Sequence, residues 1–166
     1  NLNLHPQVSF PAGKEVHFWD RRAGRPAEEW LKLFADTPQG MLGGEITPSY
    51  ACLEAETVAA VHRLTPHLRI FYSLRNPIVR AWSAALMALG RAELEPAEAS
   101  DPWFEDHFCS RGSVTRGDYL ANLKTWRAFF PEGQIQVLYF DEICLEPRRV
   151  LKGLAAHLGV DPHFFD

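Results

Sequence analysis

Residues 69–83 read Arg-Ile-Phe-Tyr-Ser-Leu-Arg-Asn-Pro-Ile-Val-Arg-Ala-Trp-Ser, and this run decides the fold class. Its first half, Arg69–Leu74, is short and rich in aromatic and β-favouring residues, and it follows the break at Pro66; it predicts a strand. Its second half predicts a helix over about 77–90, with Asn76 as N-cap, Pro77 as first helical residue and Gly90 as stop. Arg75 is thereby placed at the carboxyl end of a strand and the amino end of a helix. Free backbone N–H groups and a partial positive charge collect at such a helix start. A guanidinium there presents a planar fork to phosphate oxygens. Ser83 follows Asn76 by about two helical turns and returns to the same face. The pattern suits an anion, although an Arg at such a turn is also common as a solvated or ion-paired residue.

Outward from this run the pattern alternates. Residues 26–35 predict a helix with Trp30, Leu31, Leu33 and Phe34 on its apolar face. Residues 41–45 predict a short strand, Thr47-Pro48-Ser49-Tyr50 a loop or turn, and residues 53–64 a helix. Residues 91–112 are charged and contain Pro, and read as a surface excursion. Residues 117–130 predict an amphipathic helix carrying Tyr119, Leu120, Leu123, Trp126 and Phe129. Gln134–Phe140 predicts a second strand, and a last helix spans about 147–158 before Gly159. Alternation of strands and helices implies an α/β fold with a parallel central sheet flanked by helices, whose ligands gather at the carboxyl ends of the strands.

The chain has 166 residues, which fits one domain, 1–166, with a sizeable core. A net charge of −4 argues against a nucleic-acid partner, and no apolar run reaches the length of a membrane span. Cys52, Cys109 and Cys144 are far apart, and there is no Asn-x-Ser/Thr sequon, so the expected compartment is a reducing cytoplasm. The histidines His5, His62, His67, His107 and His163 show no metal-ligand spacing, and no metal is expected.

Five segments, in order, resemble those of sulfotransferases that use 3′-phosphoadenosine 5′-phosphosulfate (PAPS), above all the heparan sulfate branch and its bacterial relatives. Arg75-Asn76-Pro77…Arg80…Ser83 is similar to that family's R-[DN]-P-x-x-R-x-x-S signature. Lys14-Glu15-Val16-His17-Phe18-Trp19-Asp20 resembles K-E-x-H-F-F-D, and Gly44-Glu45-Ile46-Thr47-Pro48-Ser49-Tyr50 resembles G-E-K-T-P-x-Y. Gly117-Asp118-Tyr119 with Trp126 and Phe129-Phe130-Pro131 resembles the helix that precedes a late strand. Asp141-Glu142-Ile143, Glu146-Pro147 and Leu158-Gly159 fit the closing pattern, with Glu146 in place of its Asp. The match covers about residues 5–160.

The resemblance implies a P-loop-NTPase-like sulfotransferase fold. Arg75 and Ser83 would contact the cofactor's 3′-phosphate. Glu15 would be the catalytic base, with His17 and Asp20 in the same site. PAPS would be the sulfuryl donor, adenosine 3′,5′-bisphosphate the product, and the acceptor a hydroxyl or amine of a carbohydrate, lipid or small molecule. On residue chemistry alone a Lys-Glu pair is ordinary on a solvated surface, and a histidine between Val16 and Phe18 fits a core position. On an extended segment Glu15 and His17 would point to one side. Glu45 is the second candidate base, and it fits equally well as a cap of its turn. Ile46 replaces the Lys of the heparan-type pattern and removes a contact with an anionic acceptor.

The resemblance also implies a Gly-rich, Lys- and Thr-containing loop for the 5′-phosphosulfate ahead of His5-Pro6. No such run occurs in these residues, nor does the family's late Gly/Lys-rich loop. The expectation is a fold incomplete at its N-terminus, inactive by itself and poorly stable or oligomeric when made alone. Two other readings are a nucleotide- or anion-binding relative that has lost turnover, and a P-loop phosphotransferase. The lack of a Walker GxxxxGK[ST] run opposes the second of these.

Overall fold

The computed structural model describes residues 2–21 and 24–166. The predicted strand at 69–74 forms as β3, Ile70–Leu74, and pairs in parallel with β4, Ile135–Tyr139, from Ile70 opposite Ile135 to Leu74 opposite Tyr139. A second, shorter parallel pair joins β1, Val8–Ser9, to β2, Leu42–Gly43. The expected central sheet is therefore present, among the described residues, as two separate two-stranded parallel ladders. The ladder of β1 and β2 is continued by a parallel bridge between Lys14 and Ile46.

The helices are α1, Glu29–Lys32; α2, Ala55–Leu64; α3, Pro77–Arg91; α4, Asp101–Cys109; α5, Arg111–Gly117; α6, Tyr119–Arg127; α7, Phe140–Leu145; and α8, Pro147–Leu158. At the start of α3 the Asn76 side chain accepts from the N–H groups of Ile78 and Val79, as its N-cap position predicts. At the end of α8, Gly159 adopts φ 77°, and Val160 N–H bonds Ala155 O, the C-cap expected there.

Several expectations are corrected. Gly90 lies inside α3 rather than ending it. The helix closes on Glu93 at φ 58°, with Leu94 N–H on Leu89 O. The same 6→1 closure forms, but on a residue that pays a steric cost glycine avoids. Residues 91–112 are not a plain excursion: Ser100 caps α4 by accepting from Trp103 N–H, and Pro102 sits in the first turn. α4 places Trp103, Phe104, His107 and Phe108 on one side, and Phe104 stacks on Trp82 of α3 with ring centroids 5.2 Å apart. Ser110 then both ends α4 and caps α5 by accepting from Ser113 N–H. The predicted helix at 26–35 contracts to one α-helical turn flanked by tight turns, and residues 48–52 wind into a 3-10 helix rather than a loop.

Two apolar clusters hold these pieces. One gathers Phe18, Trp19, Trp30, Val58, Trp126 and Phe130, the other Leu2, Val8, Leu138 and Leu154. The second contains residues of both ladders, so it ties them together. His5 reinforces that tie from a buried position: its Nε2 lies 2.7 Å from Asp161 O, and its Nδ1 accepts from Gln7 N–H.

Candidate active site

The segment Lys14–Asp20 divides its side chains. Phe18 and Trp19 are buried, and Trp19 packs edge-on against both Phe18 and Trp30. Burial of each ring contributes roughly 2–3 kcal/mol, which anchors the segment while Glu15, His17 and Asp20 face outward.

Its backbone is held by the segment Glu45–Tyr50. Glu15 N–H donates to Ile46 O at 2.9 Å, and Val16 N–H to Thr47 Oγ1 at 3.0 Å. Phe18 and Trp19 N–H both donate to the Tyr50 hydroxyl, at 2.8 and 3.3 Å. Burial pushes the Tyr50 phenol up to about 12, so it remains a neutral hydroxyl. Glu45 secures this template from behind, taking Trp30 Nε1–H at 2.5 Å and the Thr47 hydroxyl at 2.9 Å. Both Glu45 carboxylate oxygens are thus engaged in holding the turn, as the capping role expects.

Glu15 and His17 do come together, but not on an extended strand. Both adopt left-handed backbone, φ 58° and 55°. Each costs on the order of 1–3 kcal/mol for a non-glycine residue. The hydrogen bonds at Val16, Phe18 and Trp19 offset that cost. His17 Nε2 then lies 3.9 Å from Glu15 Oε2, while Lys14 Nζ lies 3.5 Å from Glu15 Oε1. On its other side His17 Nδ1 lies 2.8 Å from Asp20 Oδ2.

Sequence reasoning did not single out Ser49. Its hydroxyl donates to the same Asp20 Oδ2 at 2.7 Å and lies 3.2 Å from His17 Nδ1. The available signal was a hydroxyl in a Thr-Pro-x-Tyr turn, which by itself reads as turn chemistry. Burial pushes the Asp20 carboxyl up. The hydrogen bonds from Ser49 and His17, with the His17 charge, outweigh burial and hold Asp20 below the usual aspartate range.

Arg75 precedes α3, and Ser83 lies within its first two turns. Arg75 leaves the end of β3 and lays its guanidinium over the Phe140 ring, 4.4 Å from the centroid. Phe140 follows the paired end of β4, so the two residues mark the carboxyl edge of this ladder. Among the described residues no carboxylate forms an ion pair with Arg75, and Ser83 is half-buried two turns along α3. One expectation changes. The first N–H groups of α3 are not free, because Asn76 takes those of Ile78 and Val79, Pro77 has none, and Arg80 N–H bonds Asn76 O. An anion here would rely on Arg75 and Ser83 rather than on helix amides.

Arg80 turns away from this edge. Its Nη2 donates to Ser113 O at 2.9 Å and to Ser113 Oγ at 3.2 Å, which fastens α3 to α5. α5 packs against the 48–52 turn, and Trp126 Nε1–H of α6 bonds Tyr50 O at 3.2 Å. Side chains and helices thus connect the Arg75 helix to the turn that positions Glu15 and His17. Among the described residues no group of three or more His, Cys, Asp or Glu side chains could hold a metal ion. No described helix is long and apolar enough to cross a membrane.

The sequence profile described as the sulfotransferase domain matches residues 56–163. The chain belongs to the sulfotransferase domain family. Mouse heparan sulfate glucosamine 3-O-sulfotransferase 6 is 27% identical across 99% of this chain and 50% of its own length. Mouse heparan sulfate glucosamine 3-O-sulfotransferase 3A1 is 26% identical across 99% of this chain and 44% of its own. This sulfotransferase domain thus spans about half the length of the curated relatives it matches. A sulfotransferase from Alicyclobacillus acidocaldarius superposes with a TM-score of 0.80 at 26% identity, over 97% of this chain and 74% of that one. A sulfotransferase domain from the curacin biosynthetic pathway shares the fold at TM-score 0.57 and 15% identity, over 81% of this chain and 44% of that one. The sulfotransferase profile includes Arg75–Ser83 but begins after Glu15, so the Glu15–Asp20 cluster rests on its own geometry and on likenesses that span nearly all of this chain.

Proposed function

We propose that the whole protein transfers a sulfuryl group from PAPS to a hydroxyl or amine of a glycan or small-molecule acceptor, with Glu15 as general base. The observation that carries this reading is the run Glu15–His17–Asp20, in which a partly exposed carboxylate faces an imidazole fixed from behind by a second carboxylate. Bound PAPS would supply the sulfuryl group together with a phosphate leaving group, releasing adenosine 3′,5′-bisphosphate. Glu15 takes the proton as the acceptor oxygen bonds to sulfur. His17, held by Asp20, stands beside Glu15 and keeps its carboxylate aimed at the acceptor. Arg75 and Ser83 would hold the donor's 3′-phosphate, with Phe140 supporting the guanidinium from one face.

The relatives named for heparan sulfate glucosamine support a glycan among possible acceptors. Ile46 supplies a carbonyl to Glu15 N–H and an apolar side chain beside it, where a Lys would favour an anionic acceptor. The acceptor that suits this chain is therefore less acidic than a heparan chain.

The test is calorimetric titration of the whole protein with adenosine 3′,5′-bisphosphate. Arg75→Ala should weaken binding roughly 10- to 100-fold, the loss of charge-assisted hydrogen bonds, and Ser83→Ala about 2- to 10-fold. Glu15→Gln should bind the nucleotide normally and lose turnover. A well-folded protein that does not bind the nucleotide would overturn the reading.

A further inference from the structure

Asp20 and His17 sit three residues apart in one short segment, and that segment carries two left-handed residues. A hydrogen bond within such a segment fixes the two groups relative to each other. It does not fix them relative to the rest of the protein. Ser49 does. It belongs to the 3-10 turn Pro48–Cys52, which is anchored to α6 through Tyr50 O and to the buried Phe18–Trp19 backbone through the Tyr50 hydroxyl.

The three polar atoms form a closed triangle, with Ser49 Oγ to Asp20 Oδ2 at 2.7 Å, His17 Nδ1 to Asp20 Oδ2 at 2.8 Å, and Ser49 Oγ to His17 Nδ1 at 3.2 Å. An ionised carboxylate only accepts hydrogen bonds, so both Ser49 and Nδ1 must donate to it. That assignment puts the neutral imidazole's proton on Nδ1 and leaves the Nε2 lone pair toward Glu15. A flipped ring would set carbon against Asp20 and lose the bond. Without the Ser49 hydroxyl, Asp20 keeps one donor fewer on Oδ2, and its carboxylate can turn about its own side-chain bonds.

We propose that Ser49 is a positioning residue of this site: its hydroxyl fixes the Asp20 carboxylate from outside the segment and so locks the His17 imidazole in the Nδ1–H form with Nε2 facing Glu15. The proposal rests on the reading of Glu15 and His17 as the acceptor-side machinery, and it concerns how that machinery is aimed. Ser49 does not touch the acceptor. Its effect is therefore expected in kcat rather than KM, because a misaimed imidazole no longer keeps the Glu15 carboxylate in line for proton transfer while leaving acceptor contacts in place.

The experiment uses the whole protein with 15N-labelled histidine, with His17→Gln to assign the imidazole signals. Wild type should show His17 as the Nδ1–H tautomer when neutral. Ser49→Ala should move it toward a mixture with the Nε2–H tautomer and lower kcat about three- to tenfold at nearly constant KM. Ser49→Thr keeps the hydroxyl and should restore both. Asp20→Asn should disturb the tautomer at least as strongly as Ser49→Ala, which covers the case of a poorly folded alanine variant. An unchanged His17 tautomer in folded Ser49→Ala would overturn the proposal, as would failure of Ser49→Thr to restore it. Should Glu15→Gln keep full turnover, the base reading fails, yet the tautomer signature still reports whether Ser49 aims the imidazole.

Discussion

Tyr50→Phe removes one oxygen and changes little else in shape, yet that oxygen accepts two backbone N–H groups. Phe18 is 1% exposed, so its N–H cannot recover a partner from bulk water. Leaving a buried donor unmet costs about 1–3 kcal/mol. At the scale of a domain this size, about 2 kcal/mol lowers Tm by roughly 4–8 °C. The functional cost adds to this, because the same hydrogen bonds hold the backbone beside the left-handed residues Glu15 and His17. A 1 Å misplacement of reacting groups is worth up to about a hundredfold in rate, so kcat should fall at least tenfold. Thermal unfolding of the whole protein and steady-state kinetics at saturating donor would measure both. A variant with unchanged Tm and unchanged kcat would refute the idea that the Tyr50 hydroxyl holds the segment, and with it the claim that the Glu45–Tyr50 turn is a template rather than a neighbour.

Two further outcomes follow from the same geometry. Phe140→Ala removes the ring beneath Arg75 and should weaken adenosine 3′,5′-bisphosphate binding about two- to fivefold without abolishing it, read by calorimetry, since a cation–π contact that is not fully desolvated is worth roughly 0.5–1 kcal/mol. Stability should fall with acidification in two stages, followed by denaturant midpoints across pH. His157 is depressed, chiefly by burial, beside the Ile70 carbonyl it bonds at 2.9 Å. The unfolded chain therefore binds the proton first, and stability declines as pH drops below about 6.5. Asp20 is also depressed, so its contribution is present above about pH 4 and is lost as pH falls through that value toward its folded one. His157→Gln should flatten the first stage and leave the second.

The elements around residues 69–83 were legible because local signals agreed with one another there. Asn76 and Pro77 each have one physically favoured place at a helix start, and both occupy it. The end of the same helix was misread because Gly90 looks like a stop, while the left-handed turn falls on Glu93, three residues further on. α4 was hidden by composition: charge and Pro102 suggest a surface loop, but Pro is welcome in a first turn, and the aromatic face has Trp82 to pack against. Within the site, Glu15, His17 and Asp20 were legible only through resemblance. No local rule predicts left-handed backbone at a glutamate and a histidine. Ser49 was illegible for a simpler reason: its partners lie 29 and 32 positions away in sequence. The strands Ile70–Leu74 and Ile135–Tyr139 were legible, whereas Val8–Ser9 was not, because a two-residue strand shows no alternation.

The pairing of the two motif segments has a physical basis in the way their groups are shared. Each backbone N–H that shapes the Lys14–Asp20 segment at Glu15, Val16, Phe18 and Trp19 is answered by residue 46, 47 or 50. Thr47 and Tyr50 answer with side chains, so substitution there disturbs the segment directly. Ile46 answers with its carbonyl, which any residue provides. Position 46 can therefore carry an apolar side chain here, or a Lys in the pattern the chain resembles, without altering the hydrogen bond that seats Glu15. The backbone of residue 46 thus seats Glu15 while its side chain is left to vary.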